Sequence, residues 1–396
     1  MKIGIDARFV GPQGTGLGKY AEKLITHLVK IDRNNFYVIF LKKNNWDYLD
    51  LGEYKNFKKV LADIPWYSLQ EQVKLPKIFS DENLDLLHIP HFNVPIFYFG
   101  KFVVTIHDLI HHHFQEQATT TRNPIIFRLK RLGYNAVINI AVKKSTKILV
   151  PSNFVKNEVV RTFKINPQKV VVTHEAAEEE YFQNGKGQMA NGKWLEKYNI
   201  KQPFAIYVGN AYPHKNLNRL LDAVNLLGHF RGESSLHFPG GGNLQLVIVS
   251  PRDVFTEKLQ QEIKKRNLEN HVKLLGYQTA DNLAMIFQKA AAYISPSLSE
   301  GFGIPGLNAM ATGLPVIASA IPTLEEVYGE AALYFDPQNP YDIAEKIKEV
   351  LTFPKLRKKL IANGQEQVKK YSWQKMAQET LKVYQEVASQ QTKTNF

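Results

Sequence analysis

The stretch SPSLSEGFGIPGLNAMATGLPVIAS, residues 295–319, joins the end of an apolar strand to a glycine-rich turn and the start of a helix. Glu300 follows the strand and two glycines come next. The spacing predicts that a helix begins near Ile304, because the proline after it is well tolerated in a first helical turn. The N–H groups of Phe302, Gly303 and Ile304 would then point at an anion such as a diphosphate. Glu300 lies just ahead of them, where a sugar joined to that diphosphate would sit.

Short apolar runs, each followed by a turn and a helical pattern, recur on both sides of this stretch. The first half contains FYVIFL, LDLLHI, KFVVTIH, KILVPS and KVVVTH, and the second contains FAIYVGN, LQLVIVS, HVKLLG, AAYISPS, LPVIAS and AALYFD. Strands that alternate with amphipathic helices are typical of βαβ units and mostly parallel sheets, whose binding sites lie at the carboxyl ends of strands. The pattern therefore predicts an α/β fold with two Rossmann-like domains.

A polar, glycine-punctuated segment separates the two sets of strands and is interpreted as a linker. We predict an N-terminal domain over residues 1–182, a linker over 183–202, a C-terminal domain over 203–375, and a C-terminal helix with a polar tail over 376–396.

The loop GPQGTGLGKY, residues 11–20, also leads from a β-like run into a helix-like run. It does not match a phosphate-binding P-loop, because Tyr20 stands where Ser or Thr is needed and Gln13 where the earlier glycine is needed. It does not match the dinucleotide fingerprint, because Lys19 occupies the position of the third glycine. From these residues alone the loop is either an anion site or a tight turn.

Composition excludes several classes of protein. The chain has 396 residues, 44% hydrophobic and 22% charged, as is ordinary for a globular protein of two or three domains. The absence of cysteine excludes disulfides, thiolate metal sites and a cysteine nucleophile. We expect neither a signal peptide nor a spanning helix, since the N-terminus leads directly into a strand and no apolar run is long enough. The formal charge of +13 favours anionic partners.

The stretch EGFGIPGLNAMATGLPVIAS, with LEEVYGEAALYFDP after it, resembles the nucleotide-sugar-binding core of the group 1 glycosyltransferases. The segments IGIDARFVGPQGTGLGKYAEKL, VVTIHDL, ILVPSNFVKNEVV, YVGNAYPHKNLNRLL, VKLLGY and YSWQK follow in family order. The resemblance implies the GT-B fold, in which two Rossmann-like domains face across a cleft and the C-terminal helix crosses back to the N-terminal domain. It also implies retaining transfer of a hexose from a nucleotide diphosphate sugar to a saccharide or lipid-linked acceptor, without a metal or other cofactor.

The resemblance assigns roles to individual residues. Glu300 matches the first glutamate of the family's E-x7-E motif, which contacts the transferred sugar. Lys215 matches the lysine that neutralises the diphosphate leaving group, and His107 the histidine near the sugar's anomeric centre. The remaining substrate-binding positions are Gly16, Leu17, Gly18, Phe302, Gly303 and Ile304 at the diphosphate, and Gly276 and Tyr277 at the edge of the nucleobase pocket.

Two residues depart from the family pattern. The second glutamate of the motif is Asn308 here, and an amide has one acceptor oxygen where a carboxylate can accept from both ribose hydroxyls. The basic residue that many members carry after the VG strand is Asn210. Lys215 is therefore expected to be the side-chain cation on the phosphates.

Several alternatives stay open at this point. The triplet at residues 111–113 invites a metal site, but consecutive histidines point in different directions, so we expect none. The stretch from Arg122 to Lys144 is either a membrane-surface helix or a core-packed helix with a basic exposed face. Glu300 has a helix-capping role as its alternative.

The opening MKIGIDAR and the loop TGLGKY look most like members that add mannose to bacterial surface polysaccharides, which makes GDP-mannose the first candidate donor. We expect a cytoplasmic protein with peripheral association at an anionic membrane, and no nucleic acid partner, since no recognition motif accompanies the charge. The rival functions are a non-catalytic nucleotide-sugar-binding or scaffold protein and a nucleotide-sugar epimerase. Binding without turnover would favour the scaffold.

Overall fold

The computed structural model describes residues 1–11, 14–113, 124–182, 193–229 and 244–392. These residues divide into two compact units. The first contains the described residues of 1–113, 124–175 and 372–392, and the second contains those of 176–371.

Each unit is built on one parallel sheet. The strands of the first unit are β1 (Lys2–Asp6), β2 (Phe36–Leu41), β3 (Phe57–Leu61), β4 (Leu86–Ile89), β5 (Phe102–Thr105), β6 (Lys147–Val150) and β7 (Val170–Val172), in the order β3-β2-β1-β4-β5-β6-β7. Those of the second unit are β8 (Phe204–Val208), β9 (Gln245–Val249), β10 (Val272–Leu275), β11 (Ala292–Ser295), β12 (Val316–Ser319) and β13 (Ala332–Phe335), in the order β10-β9-β8-β11-β12-β13. In both sheets the strand order reverses beside the first strand of the unit, which is where ligands bind in such folds.

Helices connect the strands. They are α1 (Thr15–Ile31), α2 (Leu69–Val73), α3 (Leu75–Asp81), α4 (Ile110–His113), α5 (Pro124–Lys144), α6 (Asn153–Phe163), α7 (Lys193–Lys197), α8 (Leu217–His229), α9 (Val254–Lys265), α10 (Ala280–Lys289), α11 (Ile304–Ala311), α12 (Pro322–Tyr328), α13 (Pro340–Thr352), α14 (Pro354–Gln367) and α15 (Trp373–Thr392). Short 3₁₀ helices cover Lys43–Asn45, Pro167–Lys169, Glu179–Tyr181, Pro213–Lys215, Gly329–Ala331 and Val368–Lys370.

The apolar runs of the sequence become strands because parallel sheets covered by helices on both faces bury every side chain along a strand. All four residues of β5 and all four of β12 are buried, for example. The expectation of two Rossmann-like sheets is thus confirmed. Sequence reasoning missed β3 (FKKVL), because its two lysines interrupt the apolar pattern and the strand lies at the edge of the sheet.

The break between the units falls after Glu175 rather than at residue 182. Ala177 and Tyr181 are each 3% exposed and belong to the hydrophobic core of the second unit, which draws residues 176–182 into it. Of the predicted linker, residues 183–192 lie outside the described residues, and α7 forms in the remainder.

The C-terminal helix α15 packs against α1 within the first unit, as the resemblance implies. Its Tyr384 is fully buried, and the hydroxyl lies 2.5 Å from His88 Nδ1 on β4. The other ring nitrogen of His88 lies 2.8 Å from the Thr105 hydroxyl. Burial, with the nearby charge of His107, lowers the pKa of His88 to about 3, so a neutral histidine joins the helix to the sheet.

Candidate active site

Glu300 and Lys215, predicted to hold the sugar and the diphosphate, are in direct contact. Glu300 follows β11, and Lys215 lies in the 3₁₀ helix after β8; these strands are neighbours, so their carboxyl ends meet. Lys215 Nζ donates to Glu300 Oε1 at 2.7 Å, and the Ser297 hydroxyl donates to the same oxygen at 2.7 Å. The two charged side chains are only 15% and 17% exposed. The structure therefore brings these predicted residues together as a largely buried ion pair.

The surroundings of Glu300 stabilise its charge. Burial opposes ionisation of the carboxyl group. The charge and hydrogen bond of Lys215, the hydrogen bond from Ser297 and the charge of His214 outweigh burial, and they hold the pKa of Glu300 below its usual value. Glu300 is therefore ionised at neutral pH and can accept hydrogen bonds from the hydroxyl groups of a ligand.

The turn after Glu300 is shaped by contacts that require glycine. Gly303 has φ +96°, in the left-handed region, and its carbonyl accepts from the Tyr328 hydroxyl at 2.6 Å. A Cβ on Gly306 would overlap that same hydroxyl. The helix α11 begins at Ile304, as the sequence predicts. Since the glycine at its cap position supplies no side chain, an anion can approach the first N–H groups.

Three further predicted residues lie at the same edge of the second sheet, because each follows a parallel strand. Asn210 follows β8, and its buried Oδ1 has no hydrogen-bond partner among the described residues. Gly276 and Tyr277 follow β10, and the Tyr277 side chain is 64% exposed. A buried acceptor without a partner is costly, so Asn210 is suited to receive a hydrogen bond from a ligand.

Asn308 is 5% exposed and is bound to a residue that sequence reasoning did not single out. Its Oδ1 accepts from the Glu178 N–H at 2.9 Å, and its Nδ2 lies 3.4 Å from Glu178 Oε1. The one acceptor oxygen of this amide is thus directed at the protein main chain. The expectation that Asn308 itself meets the ribose hydroxyls is not favoured by this geometry.

His107 follows β5 in the first unit and is anchored at both ring nitrogens. Nδ1 lies 2.8 Å from Glu175 Oε1, and Nε2 lies 3.1 Å from the carbonyl of Pro90. Burial disfavours the charged ring, but the hydrogen bond and charge of Glu175 and the Pro90 carbonyl outweigh it and raise the pKa of His107. Because both partners are acceptors, this environment favours the doubly protonated ring.

The glycines at the start of α1 differ in their surroundings: Gly14 precedes the helix, and Gly16 and Gly18 lie in its first turn. A Cβ on Gly14 or Gly18 would overlap the carbonyl of Phe9, so these glycines permit a close backbone approach. Gly16 is exposed, and a Cβ there would meet no described atom within 4 Å. Leu17 is half-buried between them. The space around Gly16 is therefore where an anion could approach, whereas Gly18 has a sufficient structural reason of its own.

Sequence reasoning also missed a buried charge network at the end of β1. Arg8 donates to Asp6 Oδ1 and Oδ2 at 2.8 Å each and to Glu71 Oε1 at 2.7 Å, with all three side chains at most 1% exposed. Glu71 Oε2 accepts from the N–H of Tyr67, which has φ +56° and is 63% exposed. The sequence DAR after an apolar run was the available signal for the pair of Asp6 and Arg8. Glu71 had no such signal, because it lies on α2, far away in sequence.

Among the described residues, the histidine triplet does not belong to a metal-binding cluster. Across the described ranges, no group of three or more His, Asp or Glu side chains could hold a metal ion, and the His113 side chain lies outside them. No helix in those ranges is long and apolar enough to span a membrane.

Comparison with known families covers most of the chain. Residues 191–367 match the family described as Glycosyl transferases group 1, and residues 14–180 match Glycosyltransferase Family 4. Glu300 and Lys215 lie within the first match, and Gly16, Leu17, Gly18 and His107 lie within the second.

Individual relatives agree with these matches. The chain is 30% identical over 238 residues to an O-antigen chain mannosyltransferase of Escherichia coli, a match that spans 60% of each protein. It is 24% identical over 356 residues to an O-antigen chain mannosyltransferase of Salmonella typhimurium, covering 87% of this chain and 90% of the relative. An Anabaena protein solved with UDP-glucose has the same fold, with a TM-score of 0.71, 15% identity, and coverage of 98% of this chain and 100% of that one.

The pKa of His107 can be tested directly. In nuclear magnetic resonance titrations of its imidazole, we expect a pKa above the usual 6.5, and we expect Glu175→Gln to lower it because a neutral amide replaces the balancing charge. A group whose pKa is raised by folding binds its proton more tightly in the folded state. The resulting stabilisation is complete below the pKa of the unfolded state, and it is lost as the pH rises through the pKa of the folded state. Stability should therefore decrease above about pH 6.5 in the wild type, and less so in Glu175→Gln. Glu53→Gln, on the exposed surface of the same unit, is the control. A His107 that titrates at or below 6.5 would contradict this account.

Proposed function

The chain belongs to the group 1 glycosyltransferases, and from that premise we propose that it moves a hexose from a nucleotide diphosphate sugar to a saccharide or lipid-linked acceptor, with retention of the anomeric configuration. The observation that carries the proposal is the contact between Lys215 and Glu300 beside the start of α11. A cation, an ionised carboxylate and the N–H groups at the start of α11, all at one sheet edge, match the diphosphate and the sugar hydroxyls of such a donor.

We propose mannose as the transferred sugar and GDP-mannose as the first donor to test. Support comes from the two O-antigen mannosyltransferases, one of which aligns over most of both chains. A uridine donor is the second possibility, since the Anabaena protein of the same fold was solved with UDP-glucose. The O-antigen relatives support a role in the synthesis of a cell-surface polysaccharide, and we propose that the protein works in the cytoplasm.

In the proposed mechanism, positive charge develops on the sugar ring while negative charge develops on the departing diphosphate. Lys215 and the N–H groups of Gly303 and Ile304 stabilise the leaving group, because preorganised hydrogen-bond donors stabilise most strongly the charge that develops in the transition state. Gly16, Leu17 and Gly18 are proposed to add main-chain contacts to the donor. The substrate-binding assignments of Phe302, Gly276, Tyr277 and Asn210 also remain proposals.

Glu300 and His107 act on the sugar in this scheme. The Glu300 carboxylate, already held by Lys215 and Ser297, binds sugar hydroxyls rather than attacking the anomeric carbon. Attack of the acceptor hydroxyl on the same face as the leaving group then gives retention, and the departing phosphate takes the acceptor's proton. The imidazolium of His107 donates to a sugar oxygen in place of the Pro90 carbonyl.

The decisive experiment measures release of free nucleoside diphosphate from a panel that includes GDP-mannose and UDP-glucose. We expect one donor to be hydrolysed slowly without an acceptor. Turnover of that donor should fall about a hundredfold or more in Glu300→Gln, on the scale of one lost preorganised electrostatic contact. Glu325→Gln, an exposed glutamate on α12, is the matched control and should stay close to wild type.

Turnover of a folded Glu300→Gln variant within threefold of wild type would remove Glu300 from the site. A wild-type protein that binds a nucleotide sugar without releasing nucleoside diphosphate, with or without glycan acceptors, would instead support the rival function of a non-catalytic binding or scaffold protein.

We further propose that the first unit docks on an anionic bilayer through an exposed apolar surface, formed by Leu69, Val73, Phe97 and Phe99. These side chains are 86%, 69%, 54% and 83% exposed, respectively. The Ile96 N–H donates to Gln72 Oε1 at 2.8 Å, which joins α2 to the segment that carries the two phenylalanines. Exposed apolar side chains beside basic ones are typical of protein surfaces that bind membranes.

Basic residues accompany this apolar surface. Lys144 Nζ, at the end of α5, lies 5.3 Å above the Phe99 ring, and Lys74 is exposed next to Val73. Lys144 is the last residue of the stretch 122–144, for which a membrane-surface helix is one of the two interpretations of the sequence. The side chains of 122–130 lie outside the described part of the chain.

Sedimentation with lipid vesicles tests the docking surface. We expect binding to vesicles that contain phosphatidylglycerol but little to pure phosphatidylcholine, with loss at high salt because the attraction is screened. The double variant Phe97→Ser with Phe99→Ser should bind several-fold less, while Tyr341→Ser, at a side chain that is 64% exposed in the second unit, should bind as wild type. Equal binding by all three proteins would contradict the assignment.

A further inference from the structure

Asn308 and Glu178 form a matched pair in the second unit. The amide oxygen of Asn308 accepts from the Glu178 N–H at 2.9 Å, and its nitrogen lies 3.4 Å from Glu178 Oε1. Asn308 is 5% exposed and Glu178 is half-buried. A carboxylate at position 308 would face the carboxylate of Glu178, and two like charges at this separation disfavour each other. The chain therefore carries one carboxylate and one amide here, with the carboxylate on residue 178.

The position of Glu178 suits contact with a nucleoside. It immediately precedes the 3₁₀ helix Glu179–Tyr181, which packs against both α10 and α11. The start of α11 is the proposed diphosphate end of the site, and Tyr277, just before α10, is at the proposed nucleobase end. Tyr181 is buried, and after burial itself the charges of Glu178 and Glu180 and then Tyr277 are among the causes that raise its pKa. Glu178 and Tyr277 thus both lie near Tyr181.

We infer that Glu178 binds the ribose hydroxyls of the donor nucleotide, as the carboxylate that replaces the missing second glutamate of the motif. The inference rests on the proposed function and names the group that recognises the sugar of the nucleotide. A ribose lies between the base and the diphosphate of any nucleoside diphosphate. Glu178 contacts Asn308 on α11 and precedes the short helix that packs against α10, so it is near the elements that carry the two proposed ends of the site. A carboxylate can accept from the 2′ and 3′ hydroxyls together.

Asn308 is a positioning residue in this arrangement. Its amide oxygen holds the main chain of Glu178, and its nitrogen is directed at the carboxylate, so the neutral side chain orients Glu178 without competing with its charge. The three consecutive glutamates at residues 178–180 are not equivalent: Glu179 is exposed and is the first residue of the short helix that Glu178 precedes. Glu179 therefore provides a matched control.

The test is calorimetry with GDP and UDP, followed by the 2′,3′-dideoxy counterpart of whichever nucleotide binds more tightly. The wild type should bind the ribonucleotide about tenfold to a hundredfold more tightly than the dideoxynucleotide, the range expected for hydrogen bonds to a charged acceptor. Glu178→Gln should lose most of this preference, because only the binding of the ribonucleotide becomes weaker. Glu179→Gln should keep it. If Glu178 had only a structural role, Glu178→Gln would weaken the binding of both nucleotides equally.

Two further variants keep the inference testable if the Glu178→Gln protein does not fold. Asn308→Glu should weaken ribonucleotide binding by placing two carboxylates together, and the exchange variant Glu178→Gln with Asn308→Glu should regain at least part of the preference. The inference is overturned, while the proposed function stands, if Glu178→Gln prefers the ribonucleotide over the dideoxynucleotide as strongly as the wild type does. It is also overturned if Asn308→Glu alone binds the ribonucleotide more tightly than the wild type. A wild type that binds neither nucleotide overturns both.

Discussion

The ammonium of Lys215 and the carboxylate of Glu300, 2.7 Å apart and largely removed from water, are the interaction on which the candidate site depends. Removing two charges from water is costly, and their mutual attraction offsets the cost only when further hydrogen bonds hold the geometry. Ser297 supplies one to the carboxylate, and Thr323 donates to the main-chain carbonyl of Glu300 at 2.9 Å. A donor that offers phosphate oxygens to Lys215 and hydroxyls to Glu300 would give each charge a new partner, and we propose that the two side chains exchange partners in this way when the donor binds.

The parallel sheets explain why these groups meet. Strands β8 and β11 are neighbours, and Lys215 and Glu300, which follow their carboxyl ends, are 85 positions apart in sequence. The Tyr328 hydroxyl holds the Gly303 carbonyl, and it fits only because Gly306 has no side chain. In the first unit the corresponding edge carries His107, whose charge is set by Glu175 and the Pro90 carbonyl rather than by a ligand.

The fold and part of the site could be predicted from the sequence because apolar runs and glycine turns are local signals. The strands, the start of α11 at Ile304 and the return of α15 to α1 all follow from such patterns or from the order of family motifs. Contacts that depend on tertiary packing could not be predicted. The edge strand β3 lacks an apolar pattern, the unit boundary moves to Glu175 because Tyr181 packs in the second core, and nothing local connects Asn308 to Glu178, which lies 130 positions away. The approach of Gly18 to the Phe9 carbonyl, which by itself requires a glycine, could not be predicted from the motif.

The central claim is that Lys215 and Glu300 exchange partners when the diphosphate binds. Calorimetry of wild type, Lys215→Ala and Glu300→Gln with the bare nucleoside diphosphate tests it most directly. Lys215→Ala should bind about tenfold or more weakly, because a charge-assisted contact to the phosphates is lost. Glu300→Gln should bind as tightly as wild type or more tightly, because the competing carboxylate has gone. An equal loss of affinity in both variants would mean that the pair only supports the loop structure, and unchanged affinity in Lys215→Ala would mean that Lys215 does not meet the phosphates.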